Sequence, residues 1–195
     1  MDLLNSLNWV DLIIVSIFAR AIYVGTKRGF IVEIFKLIGV FFGLLITLHF
    51  FGSLASFLEK SIQLPKGASH FVAYLALGGI TILVFKFARD TFMTLFRIEA
   101  HSVFDHWGGL VLSFLRALLL CSLLMVFLRV LDIGYFSRNT EKSFLGSRLV
   151  TVAPRVYEGT FFGFISKFFP AEELNKEAFP FKKSSEEKEK QKEKP

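Results

Sequence analysis

The sequence predicts an all-α polytopic membrane protein, and three observations carry that prediction. The composition is apolar and aromatic: 53% of the 195 residues are hydrophobic, 25 are Phe, and the mean hydropathy is +0.52, where a soluble domain has an apolar share of about 45–50%. Apolar residues come in four long stretches, approximately 9-26, 30-51, 70-89 and 109-130, each near the ~20 residues a helix needs to cross a hydrocarbon core about 30 Å thick. Charge is concentrated elsewhere: residues 171-195 hold seven Lys and seven Glu, so the net +6 belongs to residues 1-170. Three segments follow: a four-span transmembrane domain over 1-135, an amphipathic helical segment on the outer surface over 136-170, and a solvated charged tail over 171-195.

The first span opens at Trp9 and Asp11, with no Lys or Arg in residues 1-10 and no small-residue cleavage site after it. That is the pattern of an uncleaved span and not of a signal peptide. The link Gly25-Thr26-Lys27-Arg28-Gly29 joins it to the second span and predicts an antiparallel helical hairpin. Between spans two and three, Leu54, Phe57, Leu58, Ile62 and Leu64 are spaced for a short helix lying at the membrane interface. After span four, Tyr157, Phe161, Phe164, Ile165 and Phe168 recur at three- and four-residue steps between Pro154 and Pro170, with Arg155, Glu158, Ser166 and Lys167 off that stripe. This helix is too short to cross and is expected to dock on the bundle or on lipid.

Basic residues in short loops stay on the cytoplasmic side. Lys27 and Arg28 fill the first link and Arg97, flanked by Lys86 and Arg89, lies between spans three and four, against Lys60 and Lys66 on the opposite side. Both termini are therefore expected outside the cytoplasm.

A charge inside a span costs about 2.5–3.5 kcal/mol on insertion scales. Asp11, Arg89, Asp90 and Arg129 are close enough to span ends to snorkel. Arg20, Glu33, Lys36, Lys86 and Arg116 are the informative ones, and all five fall in one half of the membrane. On span two, Gly29, Glu33, Lys36, Gly39, Gly43 and Thr47 form one small or polar stripe; on span four, Asp105, Gly109, Ser113 and Arg116 form another. Small residues let backbones approach closely, so Gly25, Gly29, Gly39, Gly43, Gly109 and Ser113 are expected packing positions, with the two stripes facing each other or a shared interior. Two readings of the charges compete. In one, Glu33 and Arg116 are an ion pair that fixes which helix faces which. In the other, four bases against one acid leave a positive interior that attracts an anion or lines a water-filled cavity.

Other chemistry has no candidate. Cys121 has no second cysteine, and of His49, His70, His101 and His106 only His101 shares an i,i+4 face with an acid, Asp105, so no metal site is expected. There is no P-loop, GxGxxG, GxSxG or HExxH, and neither Glu33 nor Asp105 has a second carboxylate nearby for acid–base work. The basic residues are dispersed and lack a stacking platform for nucleic acid. The expectation is a protein with no catalytic residue and no cofactor, working in the lipid bilayer through a second copy of itself or other envelope proteins, its ligand, if any, unknown.

Trp9-x-Asp11, Gly25, Gly29-Phe30, Glu33, Gly39 and Gly43, then Asp105, Gly109 and Arg116 opening the fourth span, resemble the pattern of the CvpA family, the colicin V production proteins of bacterial inner membranes. The likeness covers roughly residues 9-130 and more weakly 143-170. Ser113 and Ala117 stand where the family usually has glycine, and His106 where a basic residue often follows the aspartate. The resemblance implies a four-span inner-membrane protein linked to secretion of the colicin V toxin and to envelope homeostasis, with no established biochemical activity. Some relatives continue into a serine protease domain outside the cytoplasm, which agrees with periplasmic N- and C-termini. An oligomeric channel or anion pore built on the charged cluster is the competing expectation.

Overall fold

The computed structural model describes residues 9–95, 103–130 and 143–168, together with 174, 175, 178 and 179. Arg97, His101, Pro170 and most of the charged tail lie outside the described residues. Every described segment of regular structure is helical: α1 Trp9–Arg28, α2 Phe30–Ile62, α3 Lys66–Leu95, α4 Val103–Val130, α5 Phe144–Leu149, α6 Val152–Thr160, a π-helical turn Phe161–Ile165, and α7 Ser166–Phe168. Helices α1 to α4 are each long and apolar enough to cross a membrane, as the four apolar stretches predict.

Their lengths differ in a way that shapes the molecule. At ~1.5 Å per residue, the 20 residues of α1 span about 30 Å and the 33 residues of α2 about 50 Å. The expected interfacial helix over 52-69 does not exist as a separate element, because nothing ends α2 until Ile62. Gly52 costs some helix propensity but does not break the run; the stop comes where Gln63 turns left-handed at φ 57°, two residues before Pro65. The Pro65 carbonyl then accepts from the Ser69 N–H at 2.9 Å and opens α3. Leu54, Phe57 and Ile62 are spaced as they are because they continue the α2 helix.

The spans lie side by side in the order α1, α4, α2, α3. Although only Gly29 separates α1 from α2, those two helices touch little, and α4 packs against both. The tight hinge thus reverses the chain without making a packed hairpin: the close approaches possible at Gly25 and Gly109 favour α1 on α4. Burial reflects the row, with 44% of the most apolar stretch buried in α2 and in α4 against 28% in α1 and 22% in α3. Lipid tails are as apolar as side chains, so such a layer is held by close packing and polar contacts and not by a hydrophobic drive between helices.

At one end the chain turns through Gly29; we call this the hinge end. At the other, the terminal end, α5 packs on α1 and α4, and α6 follows it onto α4 and α2. Tyr157 and Phe161 are buried there, whereas the π-helical turn shifts the register and leaves Phe162 and Phe164 exposed. The expected stripe is therefore half used, with Tyr157 and Phe161 docking on the spans and Phe164 exposed. Asn175, Ala178 and Phe179, from the segment whose composition reads as solvated tail, return to the same cluster: Ala178 and Phe179 are buried and the Phe179 ring lies 6.3 Å from that of Tyr157.

Candidate functional site

The hinge-end site is built from backbone outward. Gly29 has φ 78° and ψ 162°, a left-handed region that favours glycine. A Cβ there would also fall 2.3 Å from Oδ2 of Asp105. That carboxylate, in the first turn of α4, accepts from the Phe30 N–H at 2.5 Å. It caps the start of α2, where orphan N–H groups and the helix dipole favour an anion. The Phe30 ring lies over Gly108, where a Cβ would meet it at 2.5 Å. One turn along α4, a Cβ on Gly109 would come 2.6 Å from the Gly25 carbonyl oxygen, and a Cβ on Gly25 would meet Ser113 Oγ at 2.1 Å. Three glycines and a serine thus let α1, the hinge and α4 meet backbone to backbone.

Immediately inside this knot sits the charged cluster. Glu33, fully buried, takes Lys36 on Oε1 and Arg116 on Oε2, the latter at 3.1 Å. Lys36 is one turn away on the same helix; Arg116 comes from α4. The cations are themselves largely buried, at 12% and 16% side-chain exposure, so the carboxylate is shielded from every side. The predicted meeting of Glu33 and Arg116 is present, and Lys36 joins it. Arg20 and Lys86 do not: both side chains are exposed, on α1 and α3, the outer helices of the row. Spacing along each helix placed them at a similar depth but could not show which way they face.

The small stripe of α2 also divides. Gly29 meets α4 as expected, as does Gly25 of α1, but Gly39, Gly43 and Thr47 face α3: a Cβ on Gly39 would lie 2.8 Å from Phe85 Cβ, one on Gly43 3.9 Å from Ile82 and Thr81, and one on Gly78 3.4 Å from Thr47 Oγ1. A helix lying between two neighbours presents different faces to each, so one stripe serves both. Gly39 and Gly43 are thereby used within the chain.

At the terminal end, Asp11 does not snorkel. It is fully buried and accepts from Ser143 Oγ at 2.6 Å and from the Leu145 N–H at 3.0 Å, while Ser143 Oγ accepts from the Gly146 N–H at 2.8 Å. Asp11 and Ser143 together cap α5. Sequence reasoning missed this partner, and also Ser122, whose Oγ donates to the Leu149 carbonyl and accepts from the Ala153 N–H, and Tyr74, whose hydroxyl donates to the Leu123 carbonyl at 2.7 Å. It also missed His49 and Asn175. The Tyr157 hydroxyl is 2.8 Å from His49 Nδ1 and accepts from the Asn175 N–H at 3.2 Å, and Asn175 Nδ2 donates to the Leu48 and His49 carbonyls. A Ser directly before an apolar helix start is the one local signal available for Ser143; the others depend on contacts across more than a hundred residues or on single hydroxyls inside apolar runs.

Among the described residues, no three His, Cys, Asp or Glu side chains gather within reach of one metal ion. No curated protein and no solved structure matches the chain. The model of the colicin V production protein family matches residues 10–154, a stretch that contains the hinge knot, the charged cluster and the Asp11 cap, and the chain is a member of that family of membrane proteins.

Proposed function

We propose that this protein acts without catalysis, as an inner-membrane organiser that supports colicin V production and secretion and envelope homeostasis through contacts with a second copy or with other envelope proteins, its termini on the periplasmic side. The observation that carries this reading is the use of the interior charges: Glu33, Lys36 and Arg116 answer one another at the α2–α4 contact, as a lock does. The neighbouring cavity of about 430 Å³ between α2, α4 and α6 is lined by apolar side chains alone, Leu37, Phe41, Leu118 and Val156 among them. This open groove offers no polar group to an anion, which favours a lock over an aqueous path for anions. The basic link at the hinge end supports the orientation. The exposed Phe162 and Phe164 at the terminal end offer apolar contact to a partner.

The test pairs stability with transport. Arg116→Leu leaves Glu33 with Lys36 alone and its buried Oε2 without a cation, and is expected to cost about 1–3 kcal/mol, read as loss of folded protein in membranes. Replacing Glu33, Lys36 and Arg116 together by Leu removes every member and is expected to recover folding and toxin secretion. The triple change is needed because Glu33→Leu with Arg116→Leu also takes the carboxylate away from Lys36. A triple variant that folds but no longer secretes, or anion flux through wild-type liposomes that the triple variant abolishes, would replace the organiser with an oligomeric pore.

A further inference from the structure

Arg20 and Lys86 lie outside the charged cluster, and Arg20 belongs to a second arrangement. Arg20, Tyr23 and Lys27 recur at i, i+3 and i+7 on α1, and all three are exposed on the same side of the edge helix. Lys27 does not extend past the helix end. Its Nζ donates to the Tyr23 hydroxyl at 2.6 Å and lies 4.4 Å from the centroid of that ring, so its charge is folded back along α1 toward Arg20. The Tyr23 hydroxyl keeps its own proton to donate, and the ammonium keeps two more.

No acid of the chain answers Arg20 among the described residues. Asp11 caps α5, Glu33 holds Lys36 and Arg116, Asp90 pairs with Arg89 at 2.5 Å, Asp105 caps α2, and Glu59 and Glu158 stand in the last turn of α2 and on α6. Arg20 stands eight residues before Arg28, about 12 Å from the hinge end. An exposed guanidinium at that depth is costly unless it snorkels to an anion at the interface. The anion always present there is the lipid phosphate layer, and tyrosine is a residue of that layer.

We infer that Arg20, Tyr23 and Lys27 form a headgroup site for an anionic phospholipid in the hinge-side leaflet. The guanidinium takes the phosphate oxygens in a two-point contact from the membrane side, the ammonium supplies a point charge from the solvent side, and the tyrosine hydroxyl donates between them. Two cations around one phosphate favour a headgroup with net negative charge over a zwitterionic one.

The experiment uses the full chain in detergent and reads lipid retention by native mass spectrometry, with phosphatidylglycerol, phosphatidylcholine and inorganic phosphate as probes. Wild type is expected to retain phosphatidylglycerol in preference to phosphatidylcholine. Arg20→Gln and Lys27→Gln are each expected to lower that retention about fivefold, roughly 1 kcal/mol per cation. Tyr23→Phe should lower it less. Lys86→Gln, the same charge change on the other edge helix, should leave it unchanged. All four positions are exposed, and helical circular dichroism checks that each variant folds; were Arg20→Gln to misfold, Lys27→Gln and Tyr23→Phe carry the same prediction. Equal retention of the two lipids, an equal drop in Lys86→Gln, displacement by millimolar inorganic phosphate, or crosslinking of position 20 to an acidic side chain of another polypeptide would each overturn the site.

Discussion

At the hinge end, Asp105 closes the start of α2 across 75 residues of chain; at the terminal end, Asp11 does the same for α5 across 134. The two ends share that device and differ in everything around it. Around Asp105 the contact is between backbones, with Gly25, Gly29 and Gly109 leaving no room for a methyl group. At the Asp11 end the contacts are made by separate side chains, Ser143, Ser122, Tyr157 and Asn175, each holding one or two backbone groups. A backbone contact is all or nothing, because no side chain can move aside to admit an added atom. Separate side-chain contacts loosen one at a time. The hinge end is thus the part of the molecule on which the row of spans depends, and the terminal end is a set of short helices held on the spans by hydrogen bonds and by buried side chains such as Tyr157 and Phe161.

The largest expected effect that breaks this comparison is at Gly109. Gly109→Ala puts a methyl 2.6 Å from the Gly25 carbonyl and 3.3 Å from the Gly29 carbonyl carbon, so α1 and α4 must separate along the contact that joins them. A cost of about 3 kcal/mol or more is expected, measured as unfolding of the purified protein in detergent or bicelles, with loss of the whole helical signal in one transition. A neutral result would mean that the hinge backbones are free to part, and the contrast between the two ends would fail.

Next in size is removal of the two caps. Asp11→Ala strands Ser143 Oγ and the Leu145 N–H and is expected to cost about 1–3 kcal/mol, but in a local way: proteases should cut within 143–168 while the spans stay intact. Asp105→Ala removes a single contact, to the Phe30 N–H, yet it acts where the spans meet and is expected to lower the stability of the whole row by about 1 kcal/mol without exposing 143–168. If both variants gave the same protease pattern, the terminal segment would be part of one cooperative unit with the spans.

The same contrast explains what could be read from the sequence. The four spans, the glycines of the hinge and the Glu33–Arg116 meeting are legible because period, residue size and charge in an apolar stretch each leave a mark on spacing. The direction in which Arg20 and Lys86 face is not, since a charge on the outside of a row and a charge in its interior have the same position along their helix. The continuity of α2 through 52–62 is hidden for a similar reason: an apolar pattern of helical period reads alike in a span's extension and in an interfacial helix. The role of Asp11 is illegible because its partners lie in a segment 130 residues away that has no pattern pointing back to it.

The smallest expected effect separates two glycines that the sequence presents as one motif. Gly39 and Gly43 both face α3, but a methyl at 39 would press 2.8 Å from Cβ of Phe85, whose ring is itself stacked on Phe42 at 5.4 Å. A methyl at 43 would meet Ile82 and Thr81 at 3.9 Å, ordinary van der Waals distance. Gly39→Ala is therefore expected to destabilise the α2–α3 contact, whereas Gly43→Ala gains packing atoms and up to about 1 kcal/mol of helix propensity and should be neutral or slightly stabilising in the same unfolding measurement. Equal losses at both positions would mean that α2 and α3 approach more closely at 43 than the present geometry has them. Only position 39 would then be explained by Phe85, and the close contact would run on toward Thr47 and Gly78, making the α2–α3 face as intolerant of added atoms as the hinge.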